Sequence, residues 1–174
     1  RYEDDPEAMV DLSVCYYNGD GVEKDHDKCF YYANKSAQMG CVRGKATLAY
    51  DYIYGVGTKT EYKKALALLD EAAAENCPKA FRFLGYCYED GLGVEKNEGK
   101  AAKLYKKAAE LGDAAAMNNL GVCYEDGTGV EKNEIKAIEW YTKAAEVGNT
   151  RAMCNLGYCY GKGTGVAKDE EKAV

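Results

Sequence analysis

Histidine, basic stretches and long apolar runs are almost or entirely missing from this sequence of 174 residues. His26 is the only histidine and no Cys-x-x-Cys pair occurs, so a zinc site has no ligand pattern behind it. The net charge is −6 and there is no basic stripe, which argues against nucleic acid or an anionic membrane as a partner. No apolar run approaches the roughly 20 residues of a membrane span. We therefore expect no metal, no nucleic acid and no membrane among the partners.

Sequence motifs of covalent and nucleotide chemistry are missing as well. Ser-x-x-Lys, Gly-x-Ser-x-Gly and Lys-Thr-Gly do not occur. The segments 91–93 and 127–129 read Gly-x-Gly, half of a dinucleotide fingerprint, but each follows a helical pattern rather than a strand and therefore predicts a turn. His26 falls at an exposed loop-to-helix junction. We predict no catalytic residue, no cofactor and no enzymatic activity.

What the sequence does contain is one stretch that returns at a fixed interval of 36 residues. Leu120–Val130 is matched by Leu84–Val94 before it and Leu156–Val166 after it, with weaker copies at Leu12–Val22 and Leu48–Thr58. Such a period indicates a repeat protein. We predict one repeat domain over 1–174, with repeats one to five at 4–39, 40–75, 76–111, 112–147 and 148–174. The last repeat is truncated, and we expect the chain to be an excerpt of a longer protein.

Repeat four shows the local pattern most clearly. Its apolar residues between 114 and 126 form one helical stripe, which consists of Ala116, Met117, Leu120, Cys123 and Tyr124. Gly127 is expected to end this helix, since glycine adopts the left-handed conformation without steric cost. A second helix is predicted from about Glu134 to Val147, and Tyr141 is expected to pack on its buried side, as Tyr105 does in repeat three.

Capping residues and the need for burial complete the fold prediction. Residues suited to cap the second helices are Asp25, Asn97, Asn133 and Asp169. A single helical hairpin cannot bury its apolar face alone, so the repeats must stack. The predicted fold is all-α: a right-handed α/α superhelical solenoid of helix-loop-helix repeats, with the first helices lining its concave face.

The full pattern of repeat four points to a family. It consists of Ala116, Leu120, Gly121, Tyr124, Gly127, Gly129, Val130, Asn133, Lys136, Ala137, Trp140, Tyr141, Lys143, Ala144 and Ala145. This pattern resembles the Sel1-like repeat, a relative of the tetratricopeptide repeat, and the resemblance covers essentially the whole chain. It implies an adaptor or scaffold for protein complexes, whose partner is another protein.

The first helices are expected to present a binding groove for a peptide or helix of that partner. Exposed tyrosine and arginine are typical of such interfaces, and plain surface decoration is the alternative. The predicted contacts are Tyr17, Arg43, Tyr50, Ile53, Lys79, Arg82, Tyr86, Glu89, Asn118, Val122, Glu125 and Tyr158. We place the centre of the groove at Tyr50, Arg82 and Tyr86.

The eight cysteines are predicted to be free, mostly buried thiols. Four of them share one repeat position, namely Cys15, Cys87, Cys123 and Cys159. Stacked helix pairs hold equivalent atoms about 9–10 Å apart, whereas a disulfide needs Cα atoms within about 7 Å. Free thiols are typical of a reducing compartment, so we expect an intracellular, cytoplasmic protein.

Two alternatives stay open. The resembled family has a secreted, cysteine-rich branch with penicillin-binding or β-lactamase-like members, but its spacing of two cysteines per repeat is missing here. The other alternative is an adaptor in the lumen of the secretory pathway, which the glycosylation triplet at 34–36 would permit.

Repeat two departs most from the pattern. Asp51 stands where the four other repeats have cysteine, and Thr58 replaces the loop valine. A carboxylate at an otherwise apolar position is costly unless it is paired or partly exposed. The repeat has either drifted, with a local bend, or adapted to a partner.

Overall fold

A computed structural model describes residues 5–169 and 171 of the chain. This part of the chain consists of nine α-helices joined by short loops and contains no strand. The helices are α1 (Pro6–Asn18), α2 (His26–Gln38), α3 (Val42–Tyr54), α4 (Tyr62–Ala74), α5 (Pro78–Asp90), α6 (Glu98–Glu110), α7 (Ala114–Asp126), α8 (Glu134–Glu146) and α9 (Thr150–Lys162). Odd-numbered helices are the first helices of the repeats and even-numbered helices are the second. The all-α helical-repeat fold is thereby confirmed.

The helices belong to two compact bodies, and each body is described by itself. The N-terminal body extends to Leu84 and includes Leu92–Val94. The C-terminal body consists of Gly85–Gly91 and continues from Glu95. In the N-terminal body α1 packs on α2 and α3, and α3 packs on α2 and α4. In the C-terminal body α6 packs on α7, α7 packs on α8, and α8 packs on α9.

Polar caps and glycines define the helix ends. The Asp113 carboxylate accepts a hydrogen bond from the Ala116 N–H at 2.8 Å and starts α7. Gly127 ends α7 with a positive φ of 77°, as expected. Asn133 caps α8 by accepting from the Lys136 N–H at 2.9 Å. The predicted caps of α2 and α6 are also confirmed, whereas the helix that Asp169 is predicted to cap lies outside the described residues.

In the loops after α3, α7 and α9, the second glycine packs against the backbone of the preceding repeat. Gly129 has a φ of 72°, and a methyl group on its Cα would collide with the backbone of Glu98, the first residue of α6. The same relation holds for Gly57 with His26 in the N-terminal body and for Gly165 with Glu134 in the C-terminal body. This glycine therefore serves close backbone packing between successive repeats in addition to shaping its own turn.

Candidate functional site

Three aromatic side chains from three first helices meet in the N-terminal body. The hydroxyl oxygens of Tyr17 and Tyr50 are 2.9 Å apart and hydrogen-bonded, and their rings pack edge to face with centroids 5.7 Å apart. The Phe83 ring lies 5.2 Å from the Tyr50 ring. We call Tyr17, Tyr50 and Phe83 the aromatic cluster. It joins side chains of α1, α3 and α5; Phe83 is 4% exposed, so the half-buried Tyr17 and Tyr50 are the members that a partner can reach.

Cationic side chains flank the aromatic cluster. The Arg82 guanidinium lies 4.5 Å from the centroid of the Phe83 ring, a favourable cation–π distance. The Lys79 amino group is 6.0 Å from the same centroid and donates a hydrogen bond to Thr47 Oγ1 at 3.2 Å. The site therefore joins aromatic surface to positive charge.

Arg43, another predicted contact, lies on the exposed side of the same body. Its guanidinium donates to Glu7 at 2.5 Å and to Asp11 at 2.9 Å, and thereby links α3 to α1. The arginine side chain is 48% exposed, so these ion pairs are well solvated and contribute little stability. Arg43 can reach a partner only in competition with its two carboxylates.

A cavity of about 140 Å³ adjoins the aromatic cluster. All three rings line it, together with Val14, Lys79 and Asp51 among others. Val14 is 37% exposed, so the cavity reaches the surface beside this residue. Asp51, in contrast, is only 1% exposed.

The Asp51 carboxyl group is poorly satisfied in this position. Its Oδ1 accepts a weak hydrogen bond from the Cys29 thiol, with a sulfur–oxygen distance of 3.8 Å. Its Oδ2 has no hydrogen-bond partner among the described residues. Burial raises the pKa of Asp51 from 3.8 to about 7, although the Cys29 thiol and the positive charge of Lys79 act in the opposite direction. The carboxyl group therefore holds a proton to a much higher pH than an exposed aspartate does.

Two predicted contacts are buried rather than exposed. Ile53 in the N-terminal body is 3% exposed, and Asn118 in the C-terminal body is 6% exposed. Asn118 Oδ1 accepts a hydrogen bond from Asn155 Nδ2 at 3.0 Å. Their side chains are not available to a partner in this structure, which corrects the expectation that they extend the groove.

Two further predicted contacts belong to internal hydrogen bonds of the C-terminal body. The hydroxyl of the fully buried Tyr105 donates to Glu89 at 2.5 Å, and Tyr141 donates to Glu125 at the same distance. Glu89 and Glu125 thus stabilise their own repeats.

The remaining predicted contacts of the C-terminal body keep accessible surface. The half-buried Tyr86 packs edge-on against the Tyr105 ring, with centroids 5.7 Å apart. Val122 is also half-buried. Tyr158 is 59% exposed, the most open of the predicted tyrosines.

Phe83 and Asp51 were not among the predicted binding residues, although both line the cavity. A signal for Phe83 was present in the sequence. The equivalent positions of the other repeats carry polar residues, namely Asp11, Thr47, Asn119 and Asn155. An aromatic residue at a position that is otherwise polar marks repeat three as different on this face.

Most of the cysteines are too well buried to react readily. All eight are unpaired in the described part of the chain, and six of them are buried. Burial raises the pKa of the Cys29 and Cys87 thiols to about 11 and that of Cys123 to about 12, so these thiols stay protonated at neutral pH. Within residues 5–169 and 171, no cluster of histidine, cysteine and acidic residues is arranged to hold a metal ion. Nor is any described helix long and apolar enough to span a membrane.

Solved structures of several bacterial proteins resemble this chain. A Sel1 repeat protein from Oxalobacter formigenes is 33% identical with a TM-score of 0.79, and the match covers 97% of this chain and 69% of that one. A protective antigen with the SLR fold from uropathogenic Escherichia coli strains is 30% identical with a TM-score of 0.74. That match covers 97% of this chain but only 38% of the antigen.

A cysteine-rich protein is also similar. Cysteine rich protein B of Helicobacter pylori is 32% identical with a TM-score of 0.59, over 77% of this chain and 96% of that one. No curated protein sequence matches the chain significantly. The family model described as Sel1 repeat matches residues 6–41, 47–77, 78–113, 114–149 and 150–174. On the strength of these five matches and of the helical repeats that they cover, the chain belongs to the Sel1 repeat family.

Proposed function

We propose that this chain is a non-enzymatic adaptor that binds a peptide or helix of a partner protein on the first helices of its N-terminal body. Sel1 repeat proteins are generally scaffolds for protein interactions, and their fold is typically non-catalytic. The observation that carries the proposal is the aromatic cluster, where three rings from successive first helices adjoin a cavity that reaches the surface. Pockets lined by aromatic residues are where binding energy concentrates in protein interfaces.

The charges around the cluster indicate the chemistry of the partner segment. The Arg82 guanidinium and the Lys79 amino group both lie near the Phe83 ring. A segment that places an apolar or aromatic side chain on the rings would benefit from a nearby carboxylate, which could pair with Arg82. Tyr86, Val122 and Tyr158 remain predicted contacts on the first helices of the C-terminal body.

The proposal is tested by affinity purification from the source cells with the chain as bait. The test variant carries Tyr50→Ala and Arg82→Ala, which removes one ring of the cluster and the guanidinium beside another. We expect proteins retained by the unaltered chain to be lost. The matched control is Tyr31→Ala, because Tyr31 is a 56% exposed tyrosine on the second helix α2 of the same body.

Folding must be separated from binding in this experiment. Circular dichroism should show the same helix content for all three proteins. Where Tyr50→Ala lowers it, Tyr50→Phe combined with Arg82→Ala keeps the ring and still removes the hydroxyl and the guanidinium. Equal capture by the well-folded double variant and by the unaltered chain would refute this location of the binding surface.

The two alternatives from the sequence are separately testable. Turnover of a chromogenic β-lactam by the purified chain would support the enzyme of the cysteine-rich branch. Glycosylation of Asn34 in cells would support a lumenal adaptor. Asn34 lies within α2, and Ser36 of the same triplet is buried and donates to the Pro6 carbonyl at 2.7 Å, so modification would have to precede folding.

A further inference from the structure

A buried tyrosine occupies the same place in repeats three and four. The Tyr105 and Tyr141 rings are 0% exposed, and each hydroxyl donates to a glutamate at the end of the preceding helix. A side chain at Gly85 would collide with the Tyr105 ring, and one at Gly121 would collide with the Tyr141 ring. Each ring therefore fits a space that a glycine on the first helix keeps open.

Each residue around Tyr105 has an equivalent that lies two repeat lengths earlier in the chain. Tyr105 itself corresponds to Ala33, which is 0% exposed. Its neighbours are Gly85, Tyr86, Glu89 and Cys123. Their equivalents are Ser13, Val14, Tyr17 and Asp51. All four equivalents line the cavity of the N-terminal body, although Ala33 itself does not. The cavity is thus enclosed by the residues that correspond to the surroundings of the phenol ring in repeat three.

Repeat two does not share this feature. Leu69 occupies the tyrosine position there and is 0% exposed, with Ala49 in place of the glycine. Among the four complete repeats, repeat one alone has an alanine at this position, where its side chain is a single methyl group.

The size and the polarity of the cavity indicate its ligand. A cavity of about 150 Å³ in another protein binds benzene, and this one measures about 140 Å³. Its walls include the three rings of the aromatic cluster, but the carboxyl oxygen Oδ2 of Asp51 lacks a hydrogen-bond donor among the described residues. An aromatic ring with a hydroxyl group supplies both the apolar body and the donor. A cationic side chain fits less well, because Lys79 already lines the cavity and its positive charge would repel a second cation.

We propose that the cavity binds the side chain of a tyrosine from the partner protein, with its hydroxyl group donating to Asp51. That the ring comes from a partner rests on the function proposed above, whereas the affinity of the cavity for a phenol does not. The ring of the partner's tyrosine would occupy the place that the Tyr105 ring occupies in repeat three. Its hydroxyl would donate to Asp51, the equivalent of Cys123, whereas the Tyr105 hydroxyl donates to Glu89, the equivalent of Tyr17.

The affinity is tested on the full chain with p-cresol, the analogue of a tyrosine side chain, and with toluene, which lacks the hydroxyl. Binding is followed by NMR chemical shifts of the backbone amides around Val14 and Thr47. We expect p-cresol to bind about tenfold more tightly than toluene, as one additional hydrogen bond provides. In Asp51→Cys, which has the residue of the other repeats, this preference should disappear while toluene still binds.

Filling the cavity is the second arm of the test. The double variant Ser13→Gly/Ala33→Tyr recreates the glycine and tyrosine of repeat three and should abolish binding of p-cresol. Ser13→Gly alone is the matched control and should retain it. Where the double variant does not fold, Val14→Tyr replaces it, since Tyr86 occupies this position in repeat three and would close the mouth of the cavity.

The outcomes separate the two proposals. No saturable binding of p-cresol, or equal binding by the filled and unaltered chains, overturns the phenol site. A third outcome is that the unaltered chain binds p-cresol but the filled variant Ser13→Gly/Ala33→Tyr still captures the partner as well as the unaltered chain does. The ligand of the cavity is then a small phenol, and the proposal that a partner's tyrosine fills it is overturned. The adaptor function itself is refuted only by the capture experiment with Tyr50→Ala and Arg82→Ala, which does not involve p-cresol.

Discussion

Replacing Asp51 should change the pH dependence of stability more than any other single substitution in the N-terminal body. The carboxyl group is 1% exposed, and its pKa is raised by burial from 3.8 to about 7. The substitutions are Asp51→Asn, which has nearly the same shape, and Asp51→Cys, which introduces the residue of the four other repeats. Neither side chain carries a carboxyl group, so the difference from the unaltered chain isolates the titration of Asp51.

The sign follows from proton binding. Below the unfolded pKa of 3.8 the carboxyl group is protonated in both states. As the pH rises from about 4 to about 7, the unfolded chain loses the proton first, so the free energy of unfolding falls. Above the folded pKa both states are ionised and the loss is complete. A shift of about three pKa units at about 1.4 kcal/mol per unit amounts to about 4 kcal/mol.

The assay is urea denaturation followed by circular dichroism between about pH 4 and about pH 8, under reducing conditions. Relative to the unaltered chain, both variants should gain about 4 kcal/mol between the two ends of this range. Cys29 and Tyr50 beside Asp51 do not obscure the result, because burial raises their pKa values further above neutrality. A difference between the unaltered chain and its variants that stays constant across the range would refute the reasoning.

Three further predictions concern packing and thiols. In urea denaturation, Gly129→Ala should destabilise the chain by about 1–3 kcal/mol more than Gly112→Ala. Both glycines have positive φ, but of these two only the added methyl group at 129 would collide with backbone within the described residues. Equal losses would contradict the proposed packing on α6. Tyr141→Phe should lower the free energy of unfolding by about 1.5–3 kcal/mol, because the hydrogen bond to Glu125 is lost. Tyr158→Phe, at a 59% exposed residue, should lower it by less than about 0.5 kcal/mol. Similar values for the two variants would show that the hydrogen bond does not stabilise the fold. A thiol reagent should modify the exposed Cys154 first, the half-buried Cys15 more slowly and the six buried cysteines only on unfolding. If the fastest phase survives in Cys154→Ser, this assignment is wrong.

Helix positions were predictable because their signals are local. The stripe of apolar residues and Gly127 predict a helix over 114–126, and α7 has these bounds. Asn133 predicts the start of α8 correctly, and the predicted end at Val147 is one residue beyond the observed helix, where Val147 is the C-cap. Apolar periodicity, capping side chains and glycine ends act within a few residues, so they can be read without knowledge of the tertiary contacts.

The candidate site was only partly predictable. Tyr17 and Tyr50 were predicted as contacts and do meet in the aromatic cluster. Glu89 was also predicted as a contact, yet it accepts a hydrogen bond from Tyr105, 16 residues further along the chain. Which first-helix residue a second-helix tyrosine reaches depends on the packing of the two helices, and the repeat pattern does not encode it directly.

The sequence by itself determined the repeat, the helices and the family, because the 36-residue periodicity and the helix caps depend only on the order of residues along the chain. It also showed that Asp51 replaces a cysteine. Only the tertiary structure decided that Asp51 is buried beside a cavity, and that this cavity is enclosed by the equivalents of the residues around Tyr105. The reason is physical: the cavity is bounded by residues of α1, α2, α3 and α5. The space between these helices depends on the volumes of side chains that are far apart in the sequence.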